Sequence, residues 1–359
     1  MLDFYRGKKV LITGHTGFKG SWMCRMLLEA GAEVYGYALP PAEEGSLFAL
    51  AGLQEKMDST LADIRDLNRL AETFERVKPE IVIHMAAQPL VRTSYENPVY
   101  TYDVNVMGTV HVLECIRKTE SVRSFVNVTT DKVYLNREWD WGYRENEELN
   151  GFDPYSNSKS CSELVTACYR NSFFTGKKTA ITTARAGNVI GGGDFAKDRI
   201  VPDCIRAAMN KQEIIVRNPY SIRPYQHVLE PVSTYLLIAA KQYEDAAYAG
   251  SYNIGPEEAD CLKTGRLVDI FCETWQELLG EKVSWVNKYD GGPHEAGILK
   301  LDCAKLKRVF GWSPVWNADT AIRKVIEWQR DYVNGISADE CMSRQIKEYL
   351  AQTAKWKEA

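Results

Sequence analysis

From residue 9 to about residue 185, short runs of β-branched and aromatic residues alternate with stretches of helical periodicity. That alternation predicts a parallel sheet with helices on both faces. The predicted strands are Val10 to Thr13, Glu33 to Ala38, Ile81 to Met85, Ser124 to Thr129 and Ala180 to Arg185. Asp66 to Lys78 places Leu67, Leu70, Phe74 and Val77 at spacings of three and four, so they share one helix face, and Pro79 ends the helix. Beyond Arg185 the elements shorten and are broken by Pro and Gly, including the run Gly191, Gly192, Gly193. The last stretch, Ser337 to Ala359, is charged and helix-prone and is expected as a solvated terminal helix.

Composition narrows the class. The chain has 359 residues, more than a single core of roughly 250 to 300 residues usually holds, so two lobes are expected. Hydrophobic residues at 45% and charged residues at 26% are those of a packed globular protein. A net charge of -4 argues against a nucleic-acid partner, which calls for a basic face. The first strand starts at Lys9, with no room ahead of it for a secretion signal, and no apolar run approaches the roughly 18 residues that span a bilayer. A cytoplasmic protein without membrane contact is expected. The nine cysteines are scattered singly, so reduced thiols and no metal site are expected.

The first strand runs into Gly14-His15-Thr16-Gly17-Phe18-Lys19-Gly20 and then into a predicted helix from Ser21 to Ala30. Glycines at this place let the backbone turn and approach a diphosphate, whose charge then rests on the free amides of the helix N-terminus. The fold class expected is therefore α/β: an N-terminal Rossmann doubly wound parallel sheet with a smaller mixed α/β C-terminal substrate-binding lobe. No Asp, Glu or Arg ends the second strand, which reads Glu33 to Pro40, so the sequence leaves NAD against NADP open. Asp63 and Ile64, about fifty residues past the glycines, would flank an adenine; a surface Asp is the plainer alternative.

Tyr155 and Lys159 follow Pro154, a good first-turn residue, and stand four apart on one helix face. A phenol with a pKa near 10 becomes a usable base when an ammonium and a cationic nicotinamide favour the phenolate. Such a pair also arises by chance in many helices.

With Gly14 to Gly20, His84-Met85-Ala86-Ala87, Asn105 and Tyr155 to Lys159 together, the chain resembles the extended short-chain dehydrogenase/reductases over nearly its whole length. Thr129-Thr130-Asp131-Lys132 resembles the nucleotide-sugar 4,6-dehydratase branch, whose members carry an acidic residue here, and Asp131-Lys132 resembles the form that acts on CDP-glucose. The resemblance implies NAD as cofactor, CDP-glucose as substrate and a homodimer or homotetramer. The dimer would form through the helices from Val99 to Lys118 and from Pro154 to Phe174. Gly14, His15, Thr16, Gly17, Phe18, Gly20, Asp63, Ile64, Ala86, Ala87, Gln88, Asn105, Thr129, Tyr155 and Lys159 would hold the cofactor. Residues 1–186 would form the cofactor domain and residues 187–359 mainly the nucleotide-sugar lobe, with part of that chain returning to the first.

In the chemistry expected, Tyr155, helped by Thr130, takes the proton of the sugar 4-hydroxyl as its hydride leaves. The C4 ketone acidifies C5–H; Lys132 suits the base that removes it and Asp131 the acid that protonates the departing 6-hydroxyl. Lysine has a reference pKa near 10.4, so a lysine base needs burial, and a close carboxylate works against it. The alternative is a plain Asp131–Lys132 salt bridge at a strand end. Asn188, Arg199, Arg217, Arg223, His227 and His294 fall in the second lobe, where arginine forks suit a diphosphate. The segments Arg199 to Asp203 and Arg223 to Val228 resemble the family's nucleotide-binding segments.

Overall fold

Every predicted strand forms, and two more join them in one large sheet. In chain order the strands are β1 (Lys9–Thr13), β2 (Glu33–Ala38), β3 (Asp58–Leu61), β4 (Ile81–His84), β5 (Ser124–Thr130), β6 (Ala180–Ala186), β7 (Asn188–Ile190), β8 (Ile214–Val216), β9 (Ile222–His227), β10 (Ser251–Ile254), β11 (Cys261–Lys263) and β12 (Trp285–Asn287). Seven of them make one sheet in the order β10-β6-β5-β4-β1-β2-β3, parallel at every pairing. The structure is a computed structural model that describes residues 2–41, 45–289 and 296–353.

Consecutive strands run outward in one direction from β1 to β3 and in the other from β4 onward. The crevice between the ends of β1 and β4 is thus the topological switch point, where doubly wound sheets hold ligands. β5 and β6 are buried at every position, as strands covered on both faces must be. The helix Leu67–Val77 forms as its spacing predicts, capped by the Asp66 side chain on the Arg69 amide and closed by Lys78 in the left-handed conformation. Its buried residues include Leu70, Phe74 and Val77.

β3 and β10 escaped the periodicity for different reasons. Asp58-Ser59-Thr60-Leu61 lies at the sheet edge with only Thr60 buried, so it carries no apolar run. Ser251–Ile254 pairs with β6 after a detour of more than sixty residues through the second lobe, so its place in the sheet is set by tertiary packing. The second lobe is built on a three-stranded sheet, β11-β9-β7, and a two-stranded one, β12-β8.

The solvated terminal helix is corrected. Ala338–Gln352 buries Cys341, Met342, Ile346 and Tyr349, one face of a 3.6-residue repeat spread among charged positions. Arg25 in the helix Phe18–Glu29 pairs with Asp339 at 2.8 Å. The Tyr349 hydroxyl donates to Glu230 at 2.8 Å, and the same buried carboxylate accepts the amides of Val315 and Trp316. Burial pushes Glu230 up to about 7. Residues 354–359 lie outside the described residues.

The glycine run joins the lobes by close approach. A Cβ on Gly192 would lie 2.0 Å from Trp328 Cγ, and the Gly192 carbonyl accepts from Trp22 Nε1 at 3.1 Å. Among the described residues no helix is long and apolar enough to cross a membrane, and no three His, Cys, Asp or Glu side chains gather as a metal site.

Candidate active site

The loop after β1 is shaped by contacts that only glycine tolerates. Gly14 has φ of +76°, and a Cβ there would come within 2.7 Å of the Ala86 amide at the end of β4. A Cβ on Gly20 would lie 2.3 Å from the Gly14 carbonyl, so the helix Phe18–Glu29 packs directly onto the loop. Gly17 is the N-cap of that helix and offers it no side-chain cap. The first-turn amides therefore look for an external acceptor, and a diphosphate meets that need. The residues present fit a dinucleotide.

His15 is fully buried, hydrogen-bonded through Nε2 to Ser59 Oγ at 2.7 Å, and packed where a Cβ on Gly36 would strike its ring at 2.4 Å. Burial brings its imidazole down to about 4, so it stays neutral. Asp63 chelates its neighbour Arg65 at 2.7 Å and accepts the Arg65 amide, which occupies the carboxylate with a local partner.

A polar lattice locks the floor of the crevice. Asn105, in a π-turn at Asp103–Met107, accepts the Gln88 amide at 2.8 Å and donates to the Gln88 carbonyl at 3.1 Å and to Ser158 Oγ at 2.9 Å. This one side chain ties the loop after β4 to the helix that carries Tyr155. Such single-turn bulges recur at functional sites. His84 Nδ1 meets Thr13 Oγ1 at 2.7 Å, and burial, helped by nearby Lys159, takes its pKa down to about 3.

The helix Pro154–Tyr169 has Pro154 in its first turn, as the sequence predicts, and the Asp153 side chain caps it on the Ser156 amide. Tyr155 is half-buried at its beginning, within reach of the Thr130 hydroxyl. Burial pushes the Tyr155 phenol up to about 12, with Asp131 adding to the rise while Thr130 and Arg199 oppose it. The expected lowering by Lys159 is not present in the protein alone. The positive charge that would make a phenolate must therefore come largely from what binds beside it.

Lys159 is buried and donates to the Val128 carbonyl at 3.3 Å. Burial, helped by the Lys19 charge and opposed by Glu163, brings it down to about 7.

Asp131 is 2% exposed, accepts from the Thr130 hydroxyl at 2.9 Å through Oδ1, and has no partner at Oδ2. Burial pushes its carboxyl up, against the pull of Lys132, the Thr130 hydrogen bond, Arg223 and Lys19. Lys132 is half-buried beside it, and its charge is the strongest of the pulls that oppose the rise of Asp131.

The substrate residues named from sequence divide. Arg199 pairs with Asp194 at 3.0 Å and lies close enough to act on Lys19 and Tyr155. Arg223 is buried and donates to the main-chain carbonyls of Ile222 and Ala296, within electrostatic reach of Asp131. Asn188 opens β7 beside Tyr225 of β9. Arg217 pairs with Asp198 at 2.6 Å and forms part of the Asp203 and Arg206 cluster instead.

His227 is a correction. It is fully buried between Trp22 and Trp316, its Nδ1 accepts the Leu229 amide, and burial takes it down to about 3. A neutral core imidazole has no face to offer a substrate. His294 lies outside the described residues.

Lys19 was missed by the sequence argument. Half-buried in the first turn of the glycine-loop helix, it is brought down to about 8 by burial and by Arg199, while Asp131 and Asp194 hold it up. A cation in a first helical turn opposes the helix dipole, and that is the signal that would have found it. Lys19 and Arg223 thus act on Asp131, Arg199 on Tyr155, and Lys19 on Lys159, a set of cations suited to a ligand with diphosphate charge.

The model of the GDP-mannose 4,6 dehydratase family matches residues 11–325. The chain is 47% identical over 359 residues to a CDP-glucose 4,6-dehydratase of Salmonella typhimurium, covering 98% of this chain and 99% of that protein. It is 28% identical to the dTDP-D-glucose 4,6-dehydratase of Bos taurus, over 90% of this chain and 89% of that one. Among solved structures, dTDP-glucose 4,6-dehydratase from Bacillus anthracis, in complex with NAD, superposes with a TM-score of 0.75 at 18% identity, covering 92% of this chain and 98% of that chain. UDP-glucose 4-epimerase from Thermotoga maritima, with UDP-glucose, gives a TM-score of 0.76 at 21% identity over 90% and 99%. Both structures share the fold.

Proposed function

The chain belongs to the GDP-mannose 4,6 dehydratase family, and on that footing we propose that it converts CDP-glucose to CDP-4-keto-6-deoxyglucose with NAD as its resident cofactor. The observation that carries the reading is Asp131: a buried carboxyl held toward its protonated form, with Oδ2 unpartnered, next to Thr130 and Tyr155. A 4-epimerase has work for Thr130, Tyr155 and Lys159 but none for such an acid.

The glycine loop and the uncapped helix Phe18–Glu29 would hold the dinucleotide diphosphate, and Asn105 keeps the adjoining loop in place. The chemistry that NAD supplies when bound is reversible hydride acceptance, from C4 first and back to C6 at the end. Tyr155 removes the proton from the 4-hydroxyl as the C4–H bond breaks, and Thr130 steadies the phenolate oxygen. Lys132 takes the proton from C5, now acidified by the C4 ketone. Asp131 gives its proton to the 6-hydroxyl, which leaves as water. A proton then returns to C5, so the net change is loss of one water. Arg199 and Arg223 border the crevice where the substrate diphosphate would lie.

Two copies would pair through the helical stretches from Val99 to Lys118 and from Pro154 to Phe174. Val99 at 78% and Leu164 at 55% exposure, with Met107 and Phe173, leave that face apolar and uncovered.

The test is incubation of the protein and NAD with CDP-, dTDP-, GDP- and UDP-glucose separately, following the sugar nucleotide by mass. Loss of one water from CDP-glucose alone supports the proposal. Loss from another donor keeps the mechanism and overturns the CDP assignment, and unchanged mass with inversion at C4 hands the site to the epimerase reaction.

A further inference from the structure

Tyr155, Lys159 and Glu163 succeed one another at intervals of four along the helix Pro154–Tyr169, so they line one face. The first two face the crevice; the third does not reach it. Glu163 is 2% exposed and carries two partners: Oε1 accepts from the Thr129 hydroxyl, and Oε2 pairs with Arg185 of β6 at 2.8 Å. Arg185 is itself 3% exposed and donates to the Tyr134 hydroxyl at 2.8 Å. Tyr134 in turn donates to Asn253 of β10 at 2.6 Å. The chain of contacts starts on β5, which ends at Thr130 just before Asp131, and finishes on the strand that returns from the second lobe.

An ion pair this deep is weak evidence of stability, because desolvation cancels much of its attraction and a well-packed apolar pair often serves as well. Its value must be sought elsewhere. We propose that Glu163, held by Arg185, is a positioning residue of the active site, fixing the Lys159 ammonium from behind while anchoring the Thr129–Thr130 strand end against the Tyr155 helix. Among the described residues, the charges that act on Lys159 are Lys19 from the glycine-loop helix and Glu163 from its own helix, and Lys159 in turn acts on His84 of β4; Tyr155 stands one turn before it on the same face. Of these only Glu163 is an anion. It opposes the burial and the Lys19 charge that drive Lys159 toward the neutral amine. The inference deepens the proposed site, which needs Lys159 as a cation beside Tyr155.

Two variants test it: Glu163→Gln, which keeps the shape and the Thr129 contact, and Glu163→Gln with Arg185→Met, which removes both charges and stays available where the lone buried arginine prevents folding. The Lys159 Nζ titration is followed by nuclear magnetic resonance in ¹⁵N-lysine-labelled, cofactor-free protein, and kcat/KM for CDP-glucose is measured across the same pH range. We expect the Nζ midpoint to fall by about one pH unit in Glu163→Gln, and by a smaller but measurable amount in the double variant, where the Arg185 charge that opposed Glu163 is gone as well. For Glu163→Gln the rate should drop about tenfold at pH 8 yet stay within about threefold at pH 6, where much of Lys159 is still charged. A folded variant with an unmoved Nζ midpoint, or a rate lowered equally at every pH, overturns the proposal. The titration needs no turnover, so it separates failure of this inference from failure of the dehydratase assignment.

Discussion

Replacing Lys159 by methionine should make the cofactor-free protein more stable and far less active. Folding takes this lysine from an ordinary proton affinity of 10.5 down to about 7, chiefly because it is buried. At ~1.4 kcal/mol per tenfold change, that fall corresponds to about 5 kcal/mol spent on keeping the ammonium in the fold. The sign follows from the lowered value. Below pH 7 the lysine is charged in both folded and unfolded chains and the whole cost is present; between pH 7 and 10.5 the folded form sheds its proton first, and the cost fades. Methionine fills the same space without charge and gives up one 3.3 Å contact with the Val128 carbonyl. A net gain of about 2–4 kcal/mol at pH 6 is expected, shrinking to within about 1 kcal/mol at pH 10. Urea unfolding of both proteins without cofactor, read by tryptophan fluorescence at the two pH values, measures it. A Lys159→Met protein that is no more stable at pH 6, or whose gain is the same at pH 10, would refute the reasoning.

Tyr155→Phe should lower kcat by about 10² to 10⁴, since it removes the proton acceptor and keeps the ring; a rate within tenfold of wild type removes Tyr155 from that role. Lys132→Ala should oxidise the sugar and then stall, seen in a stopped mixture as persistent reduced-nicotinamide absorbance without water loss, and undiminished dehydration would clear Lys132 of any part in it. Gly192→Ala forces a Cβ to 2.0 Å from Trp328 Cγ, and the overpacking should cost about 1–3 kcal/mol, measured as a lowered thermal midpoint. An unchanged midpoint there would mean that the contact between the lobes relaxes freely.

The parts of the fold that were legible in the sequence are those where local pattern and tertiary environment agree. β5 and β6 are buried on both sides and are rich in apolar and β-branched residues, and Pro154 announces its helix as a first-turn residue. β3 and β10 gave no such agreement, because a half-exposed edge strand and a strand recruited from across the second lobe owe their state to their neighbours. In the candidate site, Tyr155, Lys159 and Asp131 are named through spacing and resemblance. What spacing does not reveal is burial: it turns His227 into a core residue, raises the Tyr155 phenol rather than lowering it, and makes Lys19 part of the crevice.

The return of Ser251–Ile254 to the large sheet bears on modularity. A fragment stopped after Ala186 would contain every glycine of the cofactor loop and both residues of the Tyr155–Lys159 pair, yet it would leave β6 as a bare edge with unpaired backbone groups and would lose the Asn253 partner of Tyr134. Exposed edges of this kind recruit other chains. The cofactor half is therefore no cassette to be cut out and grafted onto a different substrate lobe. Exchange between relatives has to carry β10 along with the segment that delivers it, and recombination points inside the second lobe should fail more often than its length alone suggests.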